Sequence, residues 1–295
     1  MSTIAAPHPR TAILLMILAS ALIAVTTLMA KALGLGAASG GEALHPLQIS
    51  AGRFFFAFLA IAAANAVIRP GFQGANWPLH FGRSLSGWLG VSCMFAAAAR
   101  MPLADATAIS FLSPVVTMLL AVILLREVVG PRRWLAVAVA LAGALVLIRP
   151  GTAAFQPAAL IALGAAAAMG MEAILIKRLS DREPVSRILL INNAMGATIA
   201  CTAASFVWVW PAPEQWALLA ALGLTMLCGQ VCFVNAMRRG EASHVIPAFY
   251  ATLIFATAYD FVIFGDAPGW IAAGGAALIV AGVLALLRAD APRPS

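Results

Sequence analysis

The sequence predicts an all-α membrane protein: ten transmembrane helices, forming two inverted five-helix repeats around a central cavity. Three observations carry this reading. First, 63% of the 295 residues are hydrophobic and 10% are charged, against roughly 45–50% and 25% in soluble domains. Second, the apolar residues fall in runs near the ~20 residues with which a helix crosses ~30 Å of hydrocarbon. Third, the chain meets itself when shifted by about 139 positions: Gly90 falls on Gly229, Cys93 on Cys232, Arg100 on Arg239, Glu127 on Asp266, Gly143 on Gly282 and Arg149 on Arg288.

The first span runs from about Ala12 to Ala30, too long and too unbroken for a cleaved signal peptide. The second covers Leu47 to Ile68 and the third Leu79 to Ala99. The fourth and fifth, Leu103 to Leu125 and Trp134 to Ile148, form a hairpin around the charged turn Arg126 to Arg133. Residues 149–156 carry Pro, Gly and Thr, the turn signals that divide residues 1–150 from 151–295. Spans six to ten are Pro157 to Ile176, Val185 to Val209, Trp216 to Ala236, Ser243 to Phe264 and Trp270 to Leu287.

Lys and Arg set the orientation. With the N-terminus inside, the cytoplasmic segments hold Arg10, Arg69, Arg83, Arg126, Arg132, Arg133, Lys177, Arg178, Arg182, Arg187, Arg238, Arg239, Arg288 and Arg293. The other side receives Lys31, Arg100 and Arg149, which places both termini in the cytoplasm. Five spans per half make the second half enter from the opposite side, the inverted arrangement that places a site near the midplane between the halves. The net charge of +7 comes from single or paired cations between apolar runs, the pattern of loops beside an anionic leaflet rather than a nucleic-acid face. The partners expected are therefore the lipid bilayer and a small molecule, with no nucleic acid; the oligomeric state is not legible.

The run from Pro102 to Glu127, with Gly143 to Arg149 after it and Leu28 to Lys31 and Ile174 to Lys177 ending the first helix of each half, resembles the EamA-type repeat of the drug/metabolite transporter superfamily. The resemblance covers nearly the whole chain and is weaker in the second half, which has no counterpart of Pro114. It implies a ten-helix transporter of the bacterial inner membrane that works by alternating access. Its cavity would be lined mainly by the third, fourth, eighth and ninth helices, with the fifth and tenth outside. Many members export amino acids or related metabolites, and the chain is similar to the aromatic amino-acid branch; drugs and other metabolites are the alternative cargo.

Ionisable groups at membrane depth cost at least ~2.5–3.5 kcal/mol each, so Arg53, Glu172 and Asp260 need a reason to be there. Asp260 is either a carrier of protons or substrate ammonium, or the partner of Arg53. Glu172 is either a proton-coupling group or is held by Lys177 or Arg178 at the same helix end. Arg53 suits a substrate carboxylate or an ion pair. Trp88, Tyr250, Gln230, Asn192 and Asn193 are mid-span candidates for touching substrate, with Gln230 equally able to join two helices. Pro114 removes a backbone donor and should kink the fourth helix after Ser110, which suits a gate.

The four cysteines lie in spans, and Cys228 and Cys232 have no His or carboxylate beside them, so neither a disulfide framework nor a metal site is expected. No GxxxxGK[ST] phosphate loop and no HExxH is present. The reading is a secondary transporter rather than an enzyme or an ATP-driven pump, with no cofactor. An intramembrane enzyme would need a nucleophile and base or a carboxylate cluster that the spans do not offer.

Overall fold

The computed structural model describes residues 9–34, 36, 42–68, 72, 74–98, 109–148, 157–264 and 270–289. These residues are helical, with no strand among them. The helices are α1 (Pro9–Gly34), α2 (Pro46–Ile68), α3 (Trp77–Ala98), α4 (Ser113–Leu120), α5 (Pro131–Ile148), α6 (Pro157–Ser180), α7 (Val185–Ala204) and α8 (Pro213–Arg239). α9 is composite, Ala242–Val245 and Ala251–Phe264 around a tighter 3-10 stretch Ile246–Tyr250, and α10 is Trp270–Ala289. Six of them are each long and apolar enough to cross a membrane, and Ser113–Leu125 and Ala273–Ala285 are shorter apolar helices. The apolar faces leave many large side chains on the outside, among them Leu14, Leu59, Ile123, Leu160 and Val262. In water that surface would be a liability; in hydrocarbon it is solvated.

Helix pairing follows the internal repeat. α1 packs on α8, and α3 on α6; α1 packs on α9, and α4 on α6; α2 meets α7, and α5 meets α10. Moving five helices along the chain exchanges the two contacts in each of the first two pairs and returns α2–α7 and α5–α10 to themselves. Small residues make the matching contacts possible. A β-carbon on Gly90 would sit 3.6 Å from the Ala165 carbonyl oxygen of α6, and one on Gly229 would sit 3.7 Å from that of Ala19 in α1. In the α5–α10 seam, a β-carbon on Gly143 would reach 2.7 Å from the Gly275 oxygen, and one on Gly282 would reach 2.8 Å from the Ala136 oxygen.

The fourth span breaks after Ser110, as Pro114 led one to expect, and the ninth is not the uninterrupted helix expected. Ile109 and Ser110 are helical, Phe111 and Leu112 form a turn in which the Leu112 amide donates to Ile109 O at 3.0 Å, and α4 restarts at Ser113. Pro114 therefore occupies the first turn of the restarted helix, where a missing N–H costs little. α4 then widens into a π-helical stretch, Ala121–Leu125, and stops at Arg126 in the left-handed conformation (φ 57°). In α9 the break coincides with Pro247.

One end of the bundle carries most of the described basic residues. There the Glu127 carboxylate accepts from the Ala242 and Ser243 amides at 2.8 and 2.9 Å and from Ser243 Oγ at 2.5 Å, clasping the start of α9 to the end of α4. Arg133 pairs with Glu241, and Lys177 donates to Met237 O at 2.8 Å. At the opposite end, Trp208, Trp210 and Trp216 contact one another with ring centroids 6.1–6.4 Å apart.

Candidate functional site

A cavity of about 220 Å³ lies between α2, α3, α6, α7 and α8. α2 and α7 exchange under the repeat, as do α3 and α8, so the cavity is surrounded by equivalent helices of both halves. Leu47 and Ala203 line it near the tryptophan-rich end, and Glu172 lines it at depth. Eight residues separate Glu172 from Ser180, the last residue of α6 at the basic end, which is about 12 Å of helix. The resemblance had implied α4 and α9 as principal walls; neither supplies a lining residue among those described. Their broken segments close on one another instead.

Five of the expected residues reach the cavity. Arg53 projects from α2, its guanidinium carbon 4.1 Å from the Phe54 ring centroid. Trp88, from α3, supplies an exposed aromatic wall opposite Ile199 of α7. Asn192 of α7 and Gln230 of α8 add amide donors and acceptors. Glu172 of α6 completes the set.

The remaining expected residues lie elsewhere. Asn193 is buried beneath the wall, where its Nδ2 donates to Leu189 O and to Gln230 Oε1, both at 2.9 Å, so it orients Gln230 instead of lining the cavity. Tyr250 is 0% exposed: its hydroxyl donates to Phe111 O at 2.7 Å, and the two rings stack with centroids 6.0 Å apart. Pro114 is buried in α4 and is not a lining residue. Asp260 belongs to α9, and its side chain lies outside the described residues, as does its suggested pairing with Arg53.

Glu172 is not held by the cations of its own helix end. Lys177 turns to Asp181 at 2.8 Å, and Arg178 donates to Leu124 O at 2.9 Å. Its partner is Arg83 of α3, Nε to Oε1 3.9 Å. The side chain of Arg83 is 3% exposed and that of Glu172 29%, so the arginine is sealed in while the carboxylate faces the cavity. Gly87 makes the space: a β-carbon there would come to 3.0 Å from the carboxylate carbon. Sequence reasoning counted Arg83 as a loop cation, although it stands a full turn inside the third span. That position was the available signal.

A second buried group was also missed. Glu183, between α6 and α7, accepts from the Asn76 amide at 2.8 Å, meets His80 Nε2 at 3.0 Å and pairs with Arg187 at 3.6 Å. Together these bonds fasten the first turn of α3 to the α6–α7 connection at the basic end.

An all-helical membrane protein with a polar, charge-bearing cavity enclosed by equivalent helices of two halves has the build of a transporter. The profile of the EamA-like transporter family matches residues 10–149 and again residues 156–288. The chain belongs to that family, within the drug/metabolite transporter superfamily, and is a transporter rather than an enzyme. It is similar to an S-adenosylmethionine uptake transporter of Rickettsia prowazekii (strain Madrid E), 25% identical over 85% of each chain. It is also similar to the pseudopaline exporter CntI of Pseudomonas aeruginosa (strain UCBPP-PA14), 29% identical over 72% of this chain and 75% of the exporter. A riboflavin transporter of Rhizobium johnstonii (strain DSM 114642 / LMG 32736 / 3841) is 28% identical over 72% of this chain and 71% of its own. A solved crystal structure shares the fold with a TM-score of 0.79 at 21% identity, covering 96% of this chain and 99% of that one.

Proposed function

We propose that the protein is a secondary transporter that exports amino acids or related small metabolites across the bacterial inner membrane. The observation that carries this reading is the cavity: Arg53 and Glu172 offer opposite charges, Asn192 and Gln230 offer amides, and Trp88 and Phe54 offer aromatic surface. A small molecule with a charged head and an apolar body needs that combination. The activities for which the relatives are named, uptake of one metabolite and export of another, fit a fold that moves varied metabolites in either direction.

Residues 1–150 and 151–295 act as two five-helix repeats of inverted topology, and rocking of one against the other gives alternating access. The i-to-i+5 exchange of helix contacts and the matched glycines support this. Both termini lie in the cytoplasm, since the end bearing Arg133, Lys177 and Arg187 is the one the positive-inside rule assigns there. The Glu127 and Glu183 clasps then close the cytoplasmic side, leaving the cavity on the outer side of them. Pro114, beside the break that precedes α4, is a gating element.

Counterflow of labelled phenylalanine, methionine and threonine into liposomes holding the purified protein tests the reading. Accumulation above empty liposomes is expected. Failure of folded protein to accumulate any amino acid would move the cargo to drug-like or other metabolites.

A further inference from the structure

Among the described residues, the charges around the cavity do not balance. Two guanidiniums, Arg53 and Arg83, stand with one carboxylate, Glu172, and Glu172 is the ion-pair partner of Arg83. Arg53 has no ion-pair partner among the described residues; its guanidinium rests on the Phe54 ring, and Glu172 acts on it only from a distance. A cation that is desolvated as a cavity closes needs a counter-charge, because an uncompensated buried ion is costly by several kcal/mol.

From this we infer that Arg53 is a carboxylate-binding subsite and that the bound molecule supplies the missing negative charge. The claim rests on the transporter reading above and deepens it by stating which end of the cargo is recognised. A guanidinium presents paired N–H donors that match the two oxygens of a carboxylate. Glu172 already faces Arg83, so an ammonium on the cargo gains little there. Trp88 and Ile199 take the apolar body. The class selected is a monocarboxylate with an apolar or aromatic body; an amine on it brings back one positive charge and adds nothing to recognition. A dianion would leave one negative charge in excess.

The test uses the purified full-length protein and three probes that differ at one end: phenylalanine, 3-phenylpropanoate, which lacks the amine, and 2-phenylethylamine, which lacks the carboxylate. Apparent Kd is read from ligand-induced thermal stabilisation. The amine-free acid should bind within about threefold of phenylalanine, and the acid-free amine about tenfold or more weaker. Arg53→Gln should weaken both acids about tenfold or more and leave the amine unchanged, with partial recovery in Arg53→Lys, which restores the charge without the fork. Equal or tighter binding of the amine, acids that bind Arg53→Gln as well as wild type, or no stabilisation by either acid would each overturn the proposal. Counterflow on the same preparation separates the two claims: acids that bind in an Arg53-dependent manner but are not carried would refute the amino-acid cargo proposed above and leave the subsite standing.

Discussion

Arg83 and Glu172 show how a single pair is made tolerable in a membrane. The arginine is sealed between α3 and α7, where its Nη1 also donates to Ile188 O at 3.4 Å, and Gly87, having no side chain, gives the glutamate room. Removing one partner strands the other. Arg83→Gln should therefore destabilise the protein by roughly 3 kcal/mol. The double variant Arg83→Gln/Glu172→Gln should regain most of that loss, because no lone charge remains. Thermal unfolding in detergent checks both, and a double variant no more stable than the single would show that the pair is not the source. Trp88→Ala should change which solutes compete best in counterflow, by removing aromatic area from the cavity wall; an unchanged series would take Trp88 out of the site. At this scale the sequence was half legible. Arg53 and Glu172 stood out because charge is rare in apolar runs, and Trp88, Asn192 and Gln230 because they are polar or aromatic at mid-span. The exclusion of Asn193 was not legible: it neighbours Asn192, but successive helical residues are turned about 100° apart. The partner of Glu172 could not be read either, because it lies on another helix nearly ninety residues earlier.

Among the helices, what was legible was their existence and order, since both follow from apolar run length. Where they break was legible in part. Pro114 pointed to a disturbance after Ser110, and the break falls there, at Phe111 and Leu112, with the proline in the first turn of the restarted helix instead of inside a kinked one. The π-helical stretch at Ala121–Leu125 has no sequence mark at all, because every residue in it is apolar. The α5–α10 seam was visible only as the matched Gly143 and Gly282, without an indication of what they faced. Gly143→Leu tests it: there is no room for the side chain against the Gly275 oxygen and the Ile279 amide, both 2.7 Å from where its first carbon would lie. Backbone cannot yield as a flexible side chain can. A fall in stability of about 2 kcal/mol or more is expected, measured as yield of monodisperse protein and its unfolding temperature, while Gly164→Leu, whose first carbon would meet nothing within 4 Å, should be mild.

Across the whole molecule, the repeat spacing read from Gly90, Gly143 and their counterparts reappears in the packing of α3 on α6 against α1 on α8, and of α5 on α10. Of the walls the family implies, α3 and α8 line the cavity, while the described parts of α4 and α9 meet each other and leave α2 and α7 beside the charges. Coupling to protons belongs to this scale, since it concerns the cycle and not one bond. If Asp260 carries the proton, Asp260→Asn should abolish pH-driven transport while sparing exchange. Loss of both, together with loss of folding, would mark Asp260 as structural. Solute uptake with and without an imposed pH gradient separates the outcomes.

Phe111 and Tyr250 lie one repeat apart in sequence, yet their rings stack on each other. A residue can touch its own repeat mate only near the line about which the halves are exchanged. In a cycle in which the two halves trade shapes, every off-axis contact becomes its counterpart, whereas a contact on that line maps onto itself. In the alternating-access cycle proposed above, the Phe111–Tyr250 stack would be the axle: spin labels at its rim should report one distance in both facings, while labels across the Glu183 clasp should report two.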